Sequence, residues 1–147
     1  MATFIPLISS GTAGPLGVLH LPRLWLKVSL ECSGKLDSRY PGVGQGYDMM
    51  TINALGLSAD AVVAFIKAKK PTYPQFEAWV KAQPGAKLDK ASIDAHNAAV
   101  LGYIHDDETR QGILANNGLP DDASAPKDAV HLNDLDSWQE FHDAELK

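Results

Sequence analysis

His20, Arg23 and Lys27 recur at spacings of three and four, so a helix would carry them on one stripe near its N-terminus. Three potential cations beside free backbone N–H groups would receive a carboxylate or phosphate, because side-chain charge and the positive helix end act on the same anion. The plainer reading is a solvent face on which Lys27 pairs with Glu31. Arg23 favours the first reading. It is one of only three arginines, it sits between Pro22 and Leu24, and a buried guanidinium would need a carboxylate partner. Asp48 or the acidic end of the chain could supply one.

Other residues offer proton transfer. His131 precedes Asn133 and Asp134, and an imidazole near pH ~6.5 oriented by Asp134 would be a general acid or base; equally, Asn133 or Asp134 merely caps a helix and His131 lies on the surface. Tyr47 and Asp48 are the remaining candidates for acid/base work. Asn97 falls among apolar positions, so its amide either satisfies buried backbone groups or binds substrate in a pocket. His96 and His105 stand nine apart, about two and a half helical turns, and share no ligand face on one helix. No His-Glu-x-x-His is present, and no metal ligand is assigned. The stretch from Gly42 to Gly46 has neither dinucleotide-binding nor Walker spacing; it reads as a surface loop or as a hinged lid beside a site. Cys32 lies late in its helix, where the dipole raises a thiol pKa, and is no nucleophile. Serine hydrolase chemistry has no Gly-x-Ser-x-Gly to support it. No cofactor can be named.

These residues belong to a chain of 147 with 13 basic and 18 acidic side chains, a net charge of -5 and 45% hydrophobic residues. The length suits one domain, 1–147, that buries a sizeable core unaided. A single cysteine excludes a disulfide framework, a four-cysteine zinc site and an iron–sulfur cluster, and its free thiol suggests the reducing cytoplasm. The opening segment lacks a basic n-region and a long enough apolar stretch for export. No apolar run is long enough for a membrane span, so a soluble protein is expected. A sequence pI near 5.4 gives nucleic acid no electrostatic footprint. Charge is uneven. Residues 106–147 carry eleven acids and three bases against seven acids and ten bases before them, and the acidic part could solvate the surface, dock on the basic part or repel anions.

Positioning falls to helices. Residues 1–20, with Gly11, Gly14, Pro15 and Gly17, read as an extended arm. Pro22 opens and Gly34 closes a helix over about 22–33, so widely apolar that it should be central. Asp48 looks like the N-cap of a short helix reaching Leu55 and Gly56, and Ser58 caps the next, 59 to about 69, before Pro71. Thr72 and Pro74 begin a fourth, ended by Pro84 and Gly85; Asp89 starts a fifth with Ile93, Asn97, Val100, Leu101 and Ile104 inward; Asp107 begins a sixth that ends at Asn117 and Gly118. Residues 119–130 read as a loop, and Asn133 or Asp134 caps a last helix carrying Leu135, Trp138 and Phe141. Ala129–Leu132 is a candidate short strand. The expectation is an all-α, compact single-domain bundle of about six or seven short helices, with room for one or two short strands. Trp25, Trp79 and Trp138 are read as core.

Four phrases are distinctive in this order: Leu21-Pro22-Arg23-Leu24-Trp25-Leu26-Lys27; Tyr47-Asp48 followed by Leu55-Gly56-Leu57-Ser58-Ala59-Asp60-Ala61; His96-Asn97-Ala98-Ala99-Val100; and Val130-His131-Leu132-Asn133-Asp134-Leu135-Asp136. From about Leu16 onward the chain resembles a bacterial family of small proteins designated domain of unknown function 5069. It differs in having His96-Asn97 where the family pattern has Trp-Asn, and in lacking a Pro-Leu-Asp phrase in the second region. The resemblance supports the helical fold and implies no mechanism. Two functions fit the residues. One is an enzyme or binder for an anionic small molecule, with His20, Arg23, Lys27 and Asn97 binding and Tyr47, Asp48 or His131 moving protons in lyase or isomerase-type chemistry. The other is a non-catalytic helical module that binds a protein or self-associates as a homo-oligomer through surplus apolar surface on the first helix and arm. The first requires the stripe to line a concavity, and the second a flat apolar patch.

Overall fold

A computed structural model describes residues 2–147. Seven α-helices follow one another among these residues: α1 Leu21–Cys32, α2 Tyr47–Ala54, α3 Ala59–Lys69, α4 Tyr73–Ala82, α5 Lys90–Gly102, α6 Asp107–Asn116 and α7 Ala129–Phe141, with a π-helical turn at His142–Leu146. The described residues form no strand, only isolated bridges such as Phe4 with Leu36. This is the expected compact all-α fold. No single helix among them is long and apolar enough to cross a membrane.

Local chemistry sets most of the boundaries. Ser58, Thr72, Asp89 and Asp106 each cap the following helix by accepting a backbone N–H, and Thr72 forms a capping box with Gln75. Such caps satisfy amides that the first turn leaves without partners. α1 is central, packing against α2, α3 and α4. Its Leu21, Leu24 and Val28 join Val18, Ile52, Leu55, Val62, Ile66, Phe76 and Val80 in the main core, and Trp25 and Trp79 pack against it. A smaller cluster of Ile113, Leu114 and Leu132 holds α6 to α7.

Four expectations are corrected. Ala129–Leu132 is the first turn of α7, which Asp128 caps by accepting from the His131 N–H, so helix replaces the end of the expected loop, the candidate strand and the Asn133 or Asp134 cap. Asp48 is not an N-cap: α2 begins at Tyr47, and the Asp48 side chain faces α1. Trp138 is 57% exposed, because α7 turns Val130, Leu132 and Ser137 inward instead. Leu101 and Ile104 are also exposed.

The N-terminal arm is bound along its length. Phe4 exchanges backbone hydrogen bonds with the segment after α1, donating to Lys35 O and accepting from Asp37 N. Nearer α1, the Asn97 amide donates to Gly17 O at 2.8 Å and accepts from Leu19 N at 3.0 Å. The arm therefore reaches α1 in a fixed register, which places Ser10 beside His20.

Candidate functional site

His20 immediately precedes α1 with φ 71°, a left-handed conformation that costs a non-glycine residue on the order of 1 kcal/mol or more. Its ring is held on both sides. Nε2 lies 2.6 Å from Asp48 Oδ1 and Nδ1 lies 2.9 Å from Ser10 Oγ, all three residues being buried. Asp48 Oδ2 accepts from Lys27 Nζ at 2.5 Å and from Gly44 N at 2.8 Å. Lys27 thus pairs with Asp48 across to α2, while Glu31 accepts from Gly42 N.

The protonation states follow from these neighbours. Burial alone would raise the Asp48 pKa, but the His20 hydrogen bond, the charge His20 takes up in acid and the charge of Lys27 together bring it down to about 2. Burial drives His20 below the usual imidazole range despite Asp48, so the ring is neutral at pH 7. An ionised carboxylate only accepts. The His20 proton therefore sits on Nε2 toward Asp48, and Nδ1 accepts the Ser10 hydroxyl proton.

Arg23 is buried in a different way from that expected. Its Nη1 donates to Pro6 O at 2.6 Å and Ile8 O at 2.9 Å, and Nη2 donates to Ser137 Oγ at 3.3 Å. Carbonyls of the arm replace the anticipated carboxylate. Three of its five N–H protons are used and two remain; Lys27 likewise has two protons beyond the one given to Asp48.

These groups floor a cleft of about 270 Å³. α1 supplies Arg23 and Lys27, with His20 just before its first turn, the 39–48 segment supplies Arg39, Tyr40, Tyr47 and Asp48, and the arm supplies Ser10. Tyr103 and His105, after α5, and Asn133 and Asp136 of α7 close the opposite wall. The predicted stripe does line a concavity. The Tyr47 ring packs against that of His20, tilted by 44° with centroids 5.4 Å apart, but its hydroxyl donates to Val100 O at 2.6 Å, and burial raises its pKa. It is a wall rather than a proton donor. Asp136 is half-buried and makes no hydrogen bond among the described residues; burial, then nearby Glu140, raises its pKa.

His131 and Asn97 lie elsewhere. His131 is exposed and pairs with Asp128 at 2.7 Å, whereas Asp134 accepts from Ser9 Oγ. Asn97 clamps the arm. The 42–46 loop borders the cleft through Gly46, and two of its amides hold protein carboxylates. Among the described residues no group of three or more His, Cys, Asp or Glu side chains could hold a metal ion.

Ser10, Asp136, Arg39, Tyr40, Tyr103, His105 and Asn133 complete the site without having been singled out as site residues from sequence. Arg39, as one of three arginines, and His105 and Asp136, as ionisable residues each with one polar neighbour, carried some signal; Ser10, in a Gly/Ser-rich stretch, carried none. No family model and no curated protein matches this chain.

Proposed function

We propose that the cleft binds a small anionic metabolite and acts on it by proton transfer of the lyase or isomerase type. The observation that carries this reading is the meeting of Arg23 and Lys27, each with spare N–H donors, and the unpartnered Asp136 carboxylate in one concavity. Removing a proton next to a carboxylate needs a base and cations to hold the charge that develops. Asp136, with its raised proton affinity, fits the base; Lys27 and Arg23 fit the cations. Asp48, held near pKa 2, stays charged and positions Lys27. The cleft volume lies below the range for drug-sized ligands, roughly 300–1,000 Å³, which suits a metabolite of a few carbons. We also propose that the chain belongs to the bacterial family it resembles and works in the cytoplasm.

The test is calorimetry and thermal shift with small carboxylates and inorganic phosphate. A ligand at 100 times its Kd adds about 2.7 kcal/mol of stability, and loss of one charged hydrogen bond weakens binding about tenfold or more. Arg23→Ala should abolish the shift while helical circular dichroism persists. Arg39→Gln, at the exposed rim, should weaken binding without touching the floor. Absence of any anion shift in the wild type overturns the reading. One observation favours the interaction module instead: Phe4, Leu7, Leu26 and Leu30 line an apolar groove between arm and α1, with Phe4 51% and Leu7 45% exposed.

A further inference from the structure

Both ring nitrogens of His20 are engaged, one by Asp48 and the other by Ser10. With Nε2 held by ionised Asp48, His20 can exchange a proton only at Nδ1, the nitrogen that faces the Ser10 hydroxyl. From this connectivity we infer that Ser10 is a nucleophile and that the cleft hydrolyses an ester of a small anionic acid. The inference rests on the anion-site reading for where the substrate lies, but uses neither Asp136 nor a proton abstracted from carbon.

Four features of the chain Ser10–His20–Asp48 fit this role. The serine and histidine are within hydrogen-bond reach, and the histidine is oriented by a third group, which is the geometry of an activated nucleophile. With Asp48 ionised, the neutral ring carries its proton on Nε2, which leaves the Nδ1 lone pair aimed at the Ser10 hydroxyl proton. His20 is kept in this position by a left-handed backbone, and strain of this kind is retained where surrounding contacts over-determine it, commonly at reacting groups. Ser10 occupies the centre of a tight turn closed by Thr12 N donating to Ser9 O at 3.1 Å, and it lines the same cleft as Arg23 and Lys27.

The steps balance without a further reactant beyond water. Ser10 Oγ bonds to the acyl carbon as its proton moves to His20 Nδ1, and Asp48 stabilises the imidazolium. The tetrahedral adduct then breaks its bond to the alcohol oxygen, which leaves with the proton from Nδ1. Water repeats the sequence on the acyl-serine, releasing the acid and restoring Ser10. Arg23 and Lys27 would hold the anionic end of the ester or the developing oxyanion.

An alkyl fluorophosphonate incubated with the folded full-length protein tests this directly. The expected product is one phosphonyl adduct, formed with loss of fluoride and mapped by peptide mass spectrometry to Ser10. Its rate should rise with pH as His20 loses its proton, and should fall by at least ~100-fold in Asp48→Asn, the range for removing general-base assistance. Ser10→Ala should stay unlabelled. Should these variants fail to fold, the wild-type map decides alone: no adduct at Ser10, or labelling no faster than in urea-unfolded protein, overturns the inference. Anion binding without labelling would leave the anion site standing and remove this chemistry; labelling without anion binding would leave Ser10 as the nucleophile and overturn the anionic substrate.

Discussion

At the scale of single residues the molecule is organised by Asp48. Its two oxygens receive His20, Lys27 and the Gly44 amide, so one carboxylate ties α1, α2 and the glycine loop together. Buried pairs of this kind contribute little over an apolar replacement, yet breaking them leaves an uncompensated charge that costs about 3–5 kcal/mol. Asp48→Asn should therefore lower the unfolding free energy by that order, measured by urea denaturation, because the Lys27 ammonium stays buried. Asp48→Leu combined with Lys27→Met should recover a large part of the loss. If the double variant loses as much as both single changes together, the pair is not coupled. Sequence spacing was enough to gather His20, Arg23 and Lys27 on one stripe, since that depends only on helical periodicity. It was not enough to find their partners, which lie 10 to 28 residues away for His20 and 114 for the Arg23 bond to Ser137. Such pairings depend on how helices pack, and no local pattern encodes them.

At the scale of elements, caps and glycines carried the readable information. α3 to α6 start at cap residues or within one position of those read from the sequence, because an N-cap is a local hydrogen bond between neighbours. Thr72→Ala, which removes half of the α4 capping box, should cost about 1 kcal/mol in chemical denaturation. Gly56 meets a harder limit: its φ is +70°, and a Cβ there would lie 2.8 Å from the Gly85 carbonyl oxygen. Backbone cannot yield as a side-chain tip can, so Gly56→Ala should destabilise by more than the 1 kcal/mol typical of a left-handed position alone; a neutral result would mean that the α2–α3 turn and the 85–87 segment move independently. α7 shows where local reading fails. Asn133 and Asp134 are good cap residues, but tertiary contacts start the helix earlier, where Ala129 N donates to Tyr103 O at 2.9 Å and Asp128 caps. The same packing rotates α7 so that Ser137 meets Arg23 and Tyr40, leaving Trp138 outside.

Across the whole molecule the acidic C-terminal third does not simply solvate itself. α7 lays Asp134, Asp136 and Ser137 against the arm, Arg23 and the cleft, whereas Arg110 is used locally by Asp107 and Asp121. This closure buries titratable groups, and stability should follow pH accordingly. Burial lowers the folded pKa of His20 and of His96; His96 keeps its Nε2 proton for Leu19 O at 3.0 Å, while its buried Nδ1 has no partner among the described residues. The unfolded chain binds protons at these two sites before the folded one does, so as pH falls through about 6.5 the equilibrium shifts toward unfolding. Asp48 extends the trend: its folded pKa of about 2 lies below the ordinary value near 3.9, so stability present above that value is lost between about pH 4 and 2, on the order of 2 kcal/mol. Two groups act oppositely. His131 gains a proton more readily beside Asp128, and Asp136 holds one longer, but His131 is exposed and screened. Urea midpoints at pH 8, 7, 6 and 5 should therefore change little between pH 8 and 7 and fall from pH 7 to 5. His96→Gln, which can still donate to Leu19 O, should flatten that slope, and His131→Gln should leave it nearly unchanged. A midpoint that is constant or rises between pH 7 and 5 would mean that the two buried imidazoles accept protons within the fold, and His20 would then donate to Ser10 rather than accept from it.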